Sequence, residues 1–258
     1  MNIVPPDFKY AMNLEYGRFK WHSRILFLVI VVLNLLVNFN PYSSSDFTAF
    51  LDYLYSPELD YMAPEAIPIT DGNIIYLLSI IGLNMLMAMI VGIFSGVLAN
   101  KYDVTKDMVG EKKVNKIPLR KCIVWILFVI LFTIPMVLSI VYSFIIMIFL
   151  MPGIVMLPSV YLNGDVNVFK SIGRTVRLLR RGYLKTLNVV ILIYLSYYIL
   201  NLLSMMLIYG LSSTAAYVLS AFAAGWCWTA LGRYTASRYC VLKYMKGANP
   251  FQTPNLGQ

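Results

Sequence analysis

The sequence predicts an all-α membrane protein with six transmembrane helices, both termini in the cytoplasm, and a further amphipathic helix on the cytoplasmic surface. The 258 residues are 59% hydrophobic and only 13% charged, whereas a water-soluble domain carries about 25% charged residues. Several apolar runs also reach the roughly 20 residues with which a helix crosses the hydrocarbon of a bilayer. These observations argue against a soluble fold, and the whole chain, 1–258, is interpreted as a single polytopic membrane domain.

The distribution of charge predicts how these runs are threaded. All 21 Lys and Arg residues lie before the first predicted span, between the second and third, between the fourth and fifth, or after the sixth. The loop at 41–71, between the first two spans, holds six acidic residues and no Lys or Arg. The positive-inside rule therefore places this loop outside and both termini inside, with the protein in the cell (cytoplasmic) membrane. The net charge of +9 then points to anionic lipid headgroups as partners and not to nucleic acid.

The chain begins with a polar and aromatic segment that precedes Arg24. Aromatic side chains are favoured at the level of the lipid headgroups, so this segment is interpreted as an interfacial anchor. Its aromatic residues are Tyr10, Tyr16, Phe19 and Trp21. The first span is predicted at 25–39, and Pro41 ends it. No signal-peptide cleavage site follows this span, so we expect it to stay in the mature protein.

The outer acidic loop is predicted to contain a short helix. Ser45 and Asp46 are expected to cap it, and apolar residues at helical spacing carry it as far as Tyr55. The second span is predicted at 73–98. The connector at 99–121 mixes acidic and basic residues and is interpreted as a solvated loop.

The segment 122–162 has no charged residue, which is too long for one span and long enough for two. A tight hairpin is predicted near 139–143. Pro135 is expected to kink the third span, while Pro152 and Pro158 loosen the fourth. The fifth span is predicted at 186–209 and the sixth at 215–231, followed by a mobile tail.

Two spans carry small residues at four-residue spacing. Such stripes let helix backbones approach closely, which matters in lipid because association there depends on packing. The two predicted stripes are Ala88, Gly92 and Gly96 in the second span, and Ala216, Ser220 and Ala224 in the sixth.

An Asn lies deep in each of three predicted spans. These residues are Asn34, Asn84 and Asn201. Because a buried amide in lipid needs a hydrogen-bond partner, we expect them to face other helices. The alternative interpretation is a polar pathway lined by these amides.

The most informative segment is the predicted cytoplasmic amphipathic helix at about 166–185. Its cations are spaced by four, three and four residues on one helical face: Lys170, Arg174, Arg177 and Arg181. The opposite face is predicted to be apolar: Val168, Ile172, Val176, Leu179 and Tyr183. Each basic residue near an anionic leaflet adds about 1 kcal/mol of attraction. We expect the cationic face to bind anionic lipid or a protein partner, the alternative being an orientation signal with interfacial packing.

A resemblance rests on the same region. Leu157, Pro158, Ser159, Val160, Tyr161, Leu162, Asn163 and Gly164 are followed by Phe169, Lys170, Ser171, Arg174, Leu178, Arg181, Gly182 and Leu184. This pattern resembles bacterial polytopic proteins similar to the membrane domain of glycerophosphoryl diester phosphodiesterases and its stand-alone relatives of unknown function. An acidic residue commonly precedes the glycine in that group, where this chain has Asn163. The phosphodiesterase activity resides in a separate soluble barrel whose histidines are not supplied here, since His22 is the only histidine.

No catalytic centre is predicted, and neither is a cofactor or a metal site. The only concentration of carboxylates is the outer loop, and no phosphate-binding loop or nucleophile elbow is present. No ionisable residue lies well inside a predicted span, which argues against an ion-driven pump.

The leading hypothesis is a non-enzymatic scaffold or accessory subunit of a membrane complex, which binds anionic lipid, other membrane subunits or a second copy of itself. The runner-up is a transport component, a permease or pore subunit lined by the Asn-bearing spans. The third hypothesis, an enzyme acting on lipid, requires Asp46, Asp52, Glu58 and Asp60 to converge on one outward cleft.

Overall fold

The computed structural model describes residues 7–14, 20–55, 68–101, 117–142, 144–180, 182–208 and 210–244. All regular secondary structure in these ranges is helical. The α-helices are α1 (Phe8–Met12), α2 (Lys20–Asn38), α3 (Thr48–Leu54), α4 (Asp71–Lys101), α5 (Leu119–Tyr142), α6 (Phe144–Asn163), α7 (Val168–Leu179), α8 (Tyr183–Leu203) and α9 (Ser213–Tyr244). A π-helical segment, Ser204–Ile208, continues α8.

Five of the described helices are long and apolar enough to cross a membrane: α2, α4, α6, α8 with its π-helical continuation, and α9. The predicted class, a multi-pass helical membrane protein, is therefore confirmed. Helix α5 occupies the position of the predicted third span. The break between α5 and α6 falls within the predicted hairpin. Pro135 lies inside α5, and Pro152 and Pro158 lie inside α6, so none of these prolines ends its helix.

Helix α9 lies at the centre of the bundle, where it packs against α1, α2, α4, α6, α7 and α8. Small buried residues line it and let the neighbouring backbones approach: Ala216, Ala221, Ala224, Ala230 and Ala236. The helix is longer than the span predicted at 215–231, because α9 continues to Tyr244. The charges of Arg233 and Arg238 suggested an end at 231, but both side chains are buried within the bundle.

The segments that carry most basic residues meet at one end of the bundle. Contacts there join His22 to Lys101, Ala99 to Cys240, and Asn13 to Arg233. Contacts at the other end join Phe39 to Tyr217, Phe47 to Tyr76, and Ser44 to Gly72. The start of α2 therefore lies beside the ends of α4 and α9, as antiparallel neighbouring helices require.

The N-terminal segment is packed into the bundle more deeply than an interfacial anchor. Helix α1 contacts α8 and α9, and Ala11 is fully buried between them. The indole N–H of Trp226 donates to the carbonyl oxygen of Met12 at 2.8 Å. Trp21 is exposed as an interfacial ring would be, whereas Tyr16 and Phe19 lie outside the described residues.

The predicted cap of α3 is wrong. The helix begins at Thr48 after Phe47, whose side chain makes no capping hydrogen bond. Asp46 instead accepts hydrogen bonds from the backbone N–H and the hydroxyl of Thr48, at 3.0 and 2.6 Å. A short acidic side chain readily closes such a turn with the residue two positions on, so Asp46 organises the entry to the helix without capping it.

The loop between α2 and α4 is fastened to the start of α4 by Asn73. Its amide nitrogen donates to the carbonyl oxygens of Ser44 and Asp46, at 3.0 and 2.7 Å. Its amide oxygen accepts from the backbone N–H and the hydroxyl of Thr70. Asn73 is buried with both ends of its amide satisfied, so this residue holds the described part of the loop against the bundle.

Candidate lipid interface

Helix α7 is the element that the basic pattern predicted, and its local sequence explains where it begins. Asn167 is the N-cap, and its side-chain oxygen accepts from the backbone N–H of Lys170 at 2.9 Å. Asn is among the best N-cap residues because its oxygen satisfies a helix-terminal donor. The helix stops at Leu179, and the backbone N–H of Gly182 returns to that residue's carbonyl oxygen at 2.8 Å. The turn that follows leads directly into α8.

One face of α7 is buried against the bundle. It consists of Val168, Ser171, Thr175, Leu178 and Leu179. The two hydroxyls can be buried because each donates to a backbone carbonyl four residues earlier: Ser171 to Asn167 at 3.0 Å and Thr175 to Ser171 at 2.8 Å. Leu178 and Leu179 join an apolar core that includes residues of α4, α6 and α9. The helix is therefore fixed to the bundle along its length.

The residues of the predicted apolar face have different surroundings. Val168 and Leu179 are buried against the bundle, whereas Ile172 and Val176 are exposed. The packed face is rotated toward Ser171 and Thr175, whose hydroxyls are satisfied within the helix. Neither residue was assigned to a face of the helix from the sequence.

The part of α7 that the bundle leaves uncovered is divided into an apolar strip and a cationic strip. Phe169 is 67% exposed and Val176 63% exposed, with Ile172 between them. These three residues, the apolar strip of α7, lie at positions i, i+3 and i+7, which share one side of a helix with 3.6 residues per turn. The exposed cations next to them, called the cationic strip, are Lys170 and Arg177 along one side and Arg180 at the C-cap, one turn beyond Val176. Phe169 and Arg180 were not among the residues assigned to the two faces from the sequence.

The other two predicted cations are Arg174 and Arg181. Arg174 is partly buried, and its guanidinium lies beside Gly164 in the turn between α6 and α7. Arg181 lies outside the described residues. Lys121, at the start of α5, donates to the carbonyl oxygen of Gly164 from another side. Lys121 and Arg174 therefore extend the basic surface around this turn.

Two buried arginines of α9 hold the surrounding segments in place. The Arg238 Nε atom donates to Thr186 Oγ1 and its Nη2 atom to the carbonyl oxygen of Gly182, each at 3.1 Å. Arg233 donates to the carbonyl oxygen of Asn13. Burying a guanidinium is expensive unless its donors are satisfied. The sequence placed both arginines only among the cations that follow the sixth predicted span, and nothing in the local pattern showed that they pack inside.

A polar contact between α4 and α6 was not predicted from the sequence. The side-chain nitrogen of Asn163 donates to the carbonyl oxygens of Gly96 and Ser159, at 3.0 and 2.9 Å. The Ser159 hydroxyl donates to the Ser95 hydroxyl at 3.2 Å. The sequence marked Asn163 only as a departure from a family pattern, but here it joins two spans.

The three intramembrane Asn residues do not share a partner within the described structure. Asn34 and Asn84 each donate to the carbonyl oxygen four residues earlier in their own helix, at 2.9 Å. Asn201 instead contacts the Ser220 hydroxyl across the α8 and α9 interface. Asn34 is buried, whereas Asn84 is exposed and so departs from the expectation that it faces another helix.

The small residues lie mostly at helix contacts. A Cβ on Gly92 would lie 2.5 Å from the indole nitrogen of Trp125 in α5, and a Cβ on Gly96 would overlap Leu162 in α6. Ala216 and Ala224 are buried, and Ala88 is partly buried against the core that contains Trp125. Ser220 makes the contact to Asn201 described above.

The described residues contain no group of three His, Cys, Asp or Glu side chains suited to a metal ion. His22 lies at the start of α2, 3.1 Å from the Lys101 amino group. Asp46 precedes α3 and Asp52 lies within it. Glu58 and Asp60 lie outside the described residues, so the outward cleft of carboxylates stays a hypothesis.

No protein-family model, curated protein or solved structure matches this chain. The resemblance to phosphodiesterase membrane domains therefore stays a prediction. Apart from Arg181, which lies outside the described residues, its residues lie at the end of α6, in the turn at Gly164, in α7, and at the start of α8. The same stretch contains the apolar and cationic strips of α7.

Proposed function

We propose that this chain is a non-enzymatic integral membrane protein, a scaffold or accessory subunit, that presents α7 to the cytoplasmic leaflet as a binding surface for anionic lipid. The observation that carries the proposal is the adjacency of the apolar strip and the cationic strip on a helix whose third face is buried. Amphipathic helices with this division lie in the membrane interface, with the apolar side toward acyl chains and the cations toward headgroups.

A lipid surface explains both strips at once. Apolar side chains left in water forgo about 25 cal/mol of stabilisation for each Å² that could be buried, so Phe169 and Val176 favour contact with hydrocarbon. Lys170, Arg177 and Arg180 then lie at the depth of the phosphates, where each adds about 1 kcal/mol of attraction to an anionic leaflet. A soluble acidic partner would satisfy the cations and leave the apolar strip in water.

The proposed topology has six spans with both termini inside. Helix α5 supplies the sixth crossing, because its 24 residues at 1.5 Å per residue extend about 36 Å, more than the roughly 30 Å of hydrocarbon. An even number of spans returns the chain to its starting side. Support comes from the bundle end where His22 meets Lys101 and Asn13 meets Arg233, since the positive-inside rule assigns that end to the cytoplasm.

The transport alternative gains no support from the intramembrane amides. Asn34 and Asn84 donate to their own helices, and Asn201 contacts Ser220. No hydrogen bond in the described part of the chain joins these residues into a common polar path. We therefore keep the scaffold hypothesis as the proposed function.

The test compares two double variants that remove the same charge from different places. Arg177→Gln with Arg180→Gln changes the cationic strip, and Lys9→Gln with Lys20→Gln removes two exposed cations elsewhere on the proposed cytoplasmic side. Each full-length protein is reconstituted into nanodiscs of mixed zwitterionic and anionic phospholipid, and the retained lipids are identified by native mass spectrometry. We expect the first variant to lose about thirtyfold in its preference for anionic lipid, from roughly 1 kcal/mol for each of the two cations.

The control variant should retain most of that preference. Equal losses in the two variants would show that net charge alone attracts the lipid, and the proposal for α7 would be wrong. No preference in the unaltered protein would have the same consequence.

A further inference from the structure

The two halves of α4 differ in how much the rest of the chain covers them. Apart from Asn73, every buried residue of α4 lies between Met87 and Asn100. In the first half, Ile74, Leu77 and Ile81 are 46%, 45% and 37% exposed. The outer half of this span therefore presents a face that the described part of the chain leaves uncovered.

The residues on that face follow a specific spacing. Ile74, Leu77, Ile81 and Asn84, called here the α4 seam, are separated by three, four and three residues. Alternating steps of three and four place side chains along the line at which two helices pack with knobs into holes. Ala88 occupies the next position and is partly buried, so the seam runs from open surface into the bundle.

Asn84 makes this face unsuited to lipid. It lies thirteen residues after Asp71, about 20 Å along the helix axis, and therefore within the hydrocarbon. Its side chain is exposed, and one amide hydrogen donates to the Ile80 carbonyl oxygen at 2.9 Å. An Asn side chain has two donors and an acceptor oxygen, so the described contacts leave one donor and that oxygen facing acyl chains, where unsatisfied polar groups are costly.

We propose that the α4 seam binds the same seam of a second copy of this chain, giving a parallel homodimer with Asn84 opposite Asn84. Two copies inserted with the same topology are related by a two-fold axis along the membrane normal, which brings identical residues together. The amide suits this arrangement because each oxygen accepts from the nitrogen of the other copy. A single polar residue in an apolar seam also sets the register of the pair. This interface is independent of the lipid surface on α7.

Cross-linking tests the geometry without disturbing Asn84. Ile81→Cys lies in the seam, and Leu86→Cys is the matched control, because Leu86 is 41% exposed at a similar depth but about 140° around the helix. Each full-length variant is reconstituted into vesicles at a low protein-to-lipid ratio and oxidised with copper phenanthroline. The native cysteines are the same in both. We expect a cross-linked dimer with Ile81→Cys in large excess over Leu86→Cys, and equal yields would overturn the proposal.

Fluorescence energy transfer between labelled copies tests the role of the amide. Asn84→Leu should raise the dimer dissociation constant about tenfold, and Asn84→Gln, which keeps the amide, should raise it less. Ser196→Leu is the control, since that partly exposed residue of α8 makes the same kind of hydrogen bond to a carbonyl four residues earlier. If Asn84→Leu associates as strongly as the unaltered protein, the proposed interface is wrong. A protein that is monomeric at every protein-to-lipid ratio would likewise exclude a second copy and leave another membrane protein as the occupant.

Discussion

Arg238 donates from Nη2 to the carbonyl oxygen of Gly182 at 3.1 Å, and this bond joins the last turns of α9 to the turn between α7 and α8. A Cβ on residue 182 would overlap the same nitrogen. A side chain at residue 182 would therefore displace this nitrogen from its present position. Through this hydrogen bond, the central helix fixes the point at which α7 leaves the surface and α8 begins.

Gly182→Ala should destabilise the protein. The added methyl group displaces the Arg238 guanidinium from its carbonyl partner and leaves a buried cation with fewer hydrogen bonds, at a cost of about 1–3 kcal/mol. The measurement is the thermal unfolding midpoint in detergent. Gly173→Ala is the control, because a Cβ there meets nothing within 4 Å and Ala favours a helix by up to about 1 kcal/mol. A midpoint equally unaffected in both variants would contradict the role given to Gly182.

Asn163→Leu should weaken the contact between α4 and α6. The amide nitrogen of Asn163 donates to Gly96 across the interface, and interhelical hydrogen bonds in membranes contribute about 0.6–2 kcal/mol. Asn163→Asp should be more damaging at neutral pH, because a carboxylate repels the carbonyl oxygens of Gly96 and Ser159. Unfolding of the two variants in the same detergent checks this order. If Asp at 163 is tolerated better than Leu, the amide does not act as the donor described.

Phe169→Trp should report the position of α7 in the membrane. An indole at this exposed site is expected to lie near the boundary between headgroups and acyl chains, where tryptophan is favoured. Fluorescence quenching by lipids brominated at different depths, in a background with the four native tryptophans replaced by phenylalanine, measures that position. Lys170→Trp in the same background is the control and should be quenched more weakly. Strong quenching by shallow bromines at 169 is expected, and none at any depth would place α7 away from lipid.

The pKa of Asp46 should rise when Thr48 is replaced by Val. The hydroxyl and backbone N–H of Thr48 both stabilise the carboxylate and lower the pKa of Asp46 below its ordinary value of 3.8. A lowered pKa in the folded state contributes stability above the ordinary value, and that contribution is lost as the pH falls through the folded pKa. NMR titration of the labelled carboxyl group measures the pKa in both proteins. Ser45→Ala is the control, and an unchanged pKa in Thr48→Val would refute the assignment.

The proposed topology predicts which surface residues react from outside the cell. A cysteine replacing Tyr42, in the loop beside α3, should react with a membrane-impermeant maleimide in intact cells. A cysteine replacing Lys20, at the start of α2, should react only after the membrane is opened. Both positions are exposed, so a difference reports the side of the membrane. Labelling of position 20 in intact cells would reverse the proposed orientation.

Some features of the candidate site follow from the local sequence, and others depend on residues that are distant in the chain. The spacing of Lys170 and Arg177 correctly predicted a helix with exposed cations, since both residues belong to one continuous segment. The burial of Arg238 against Gly182 and Thr186 was not foreseen, because the partners lie more than fifty residues earlier in the chain. A guanidinium looks the same in the sequence whether water or a carbonyl oxygen satisfies it.

The amino-acid sequence by itself was sufficient for the helical, multi-pass membrane class. Long uncharged runs such as 74–97 must satisfy their backbone hydrogen bonds internally in lipid, so each run determines its own secondary structure. The rotation of α7 on the bundle, the extension of α9 through Arg233, and the exposure of Asn84 depended on folding. These features are set by which distant groups supply hydrogen bonds and by which faces their neighbours cover, and neither is a property of a local segment.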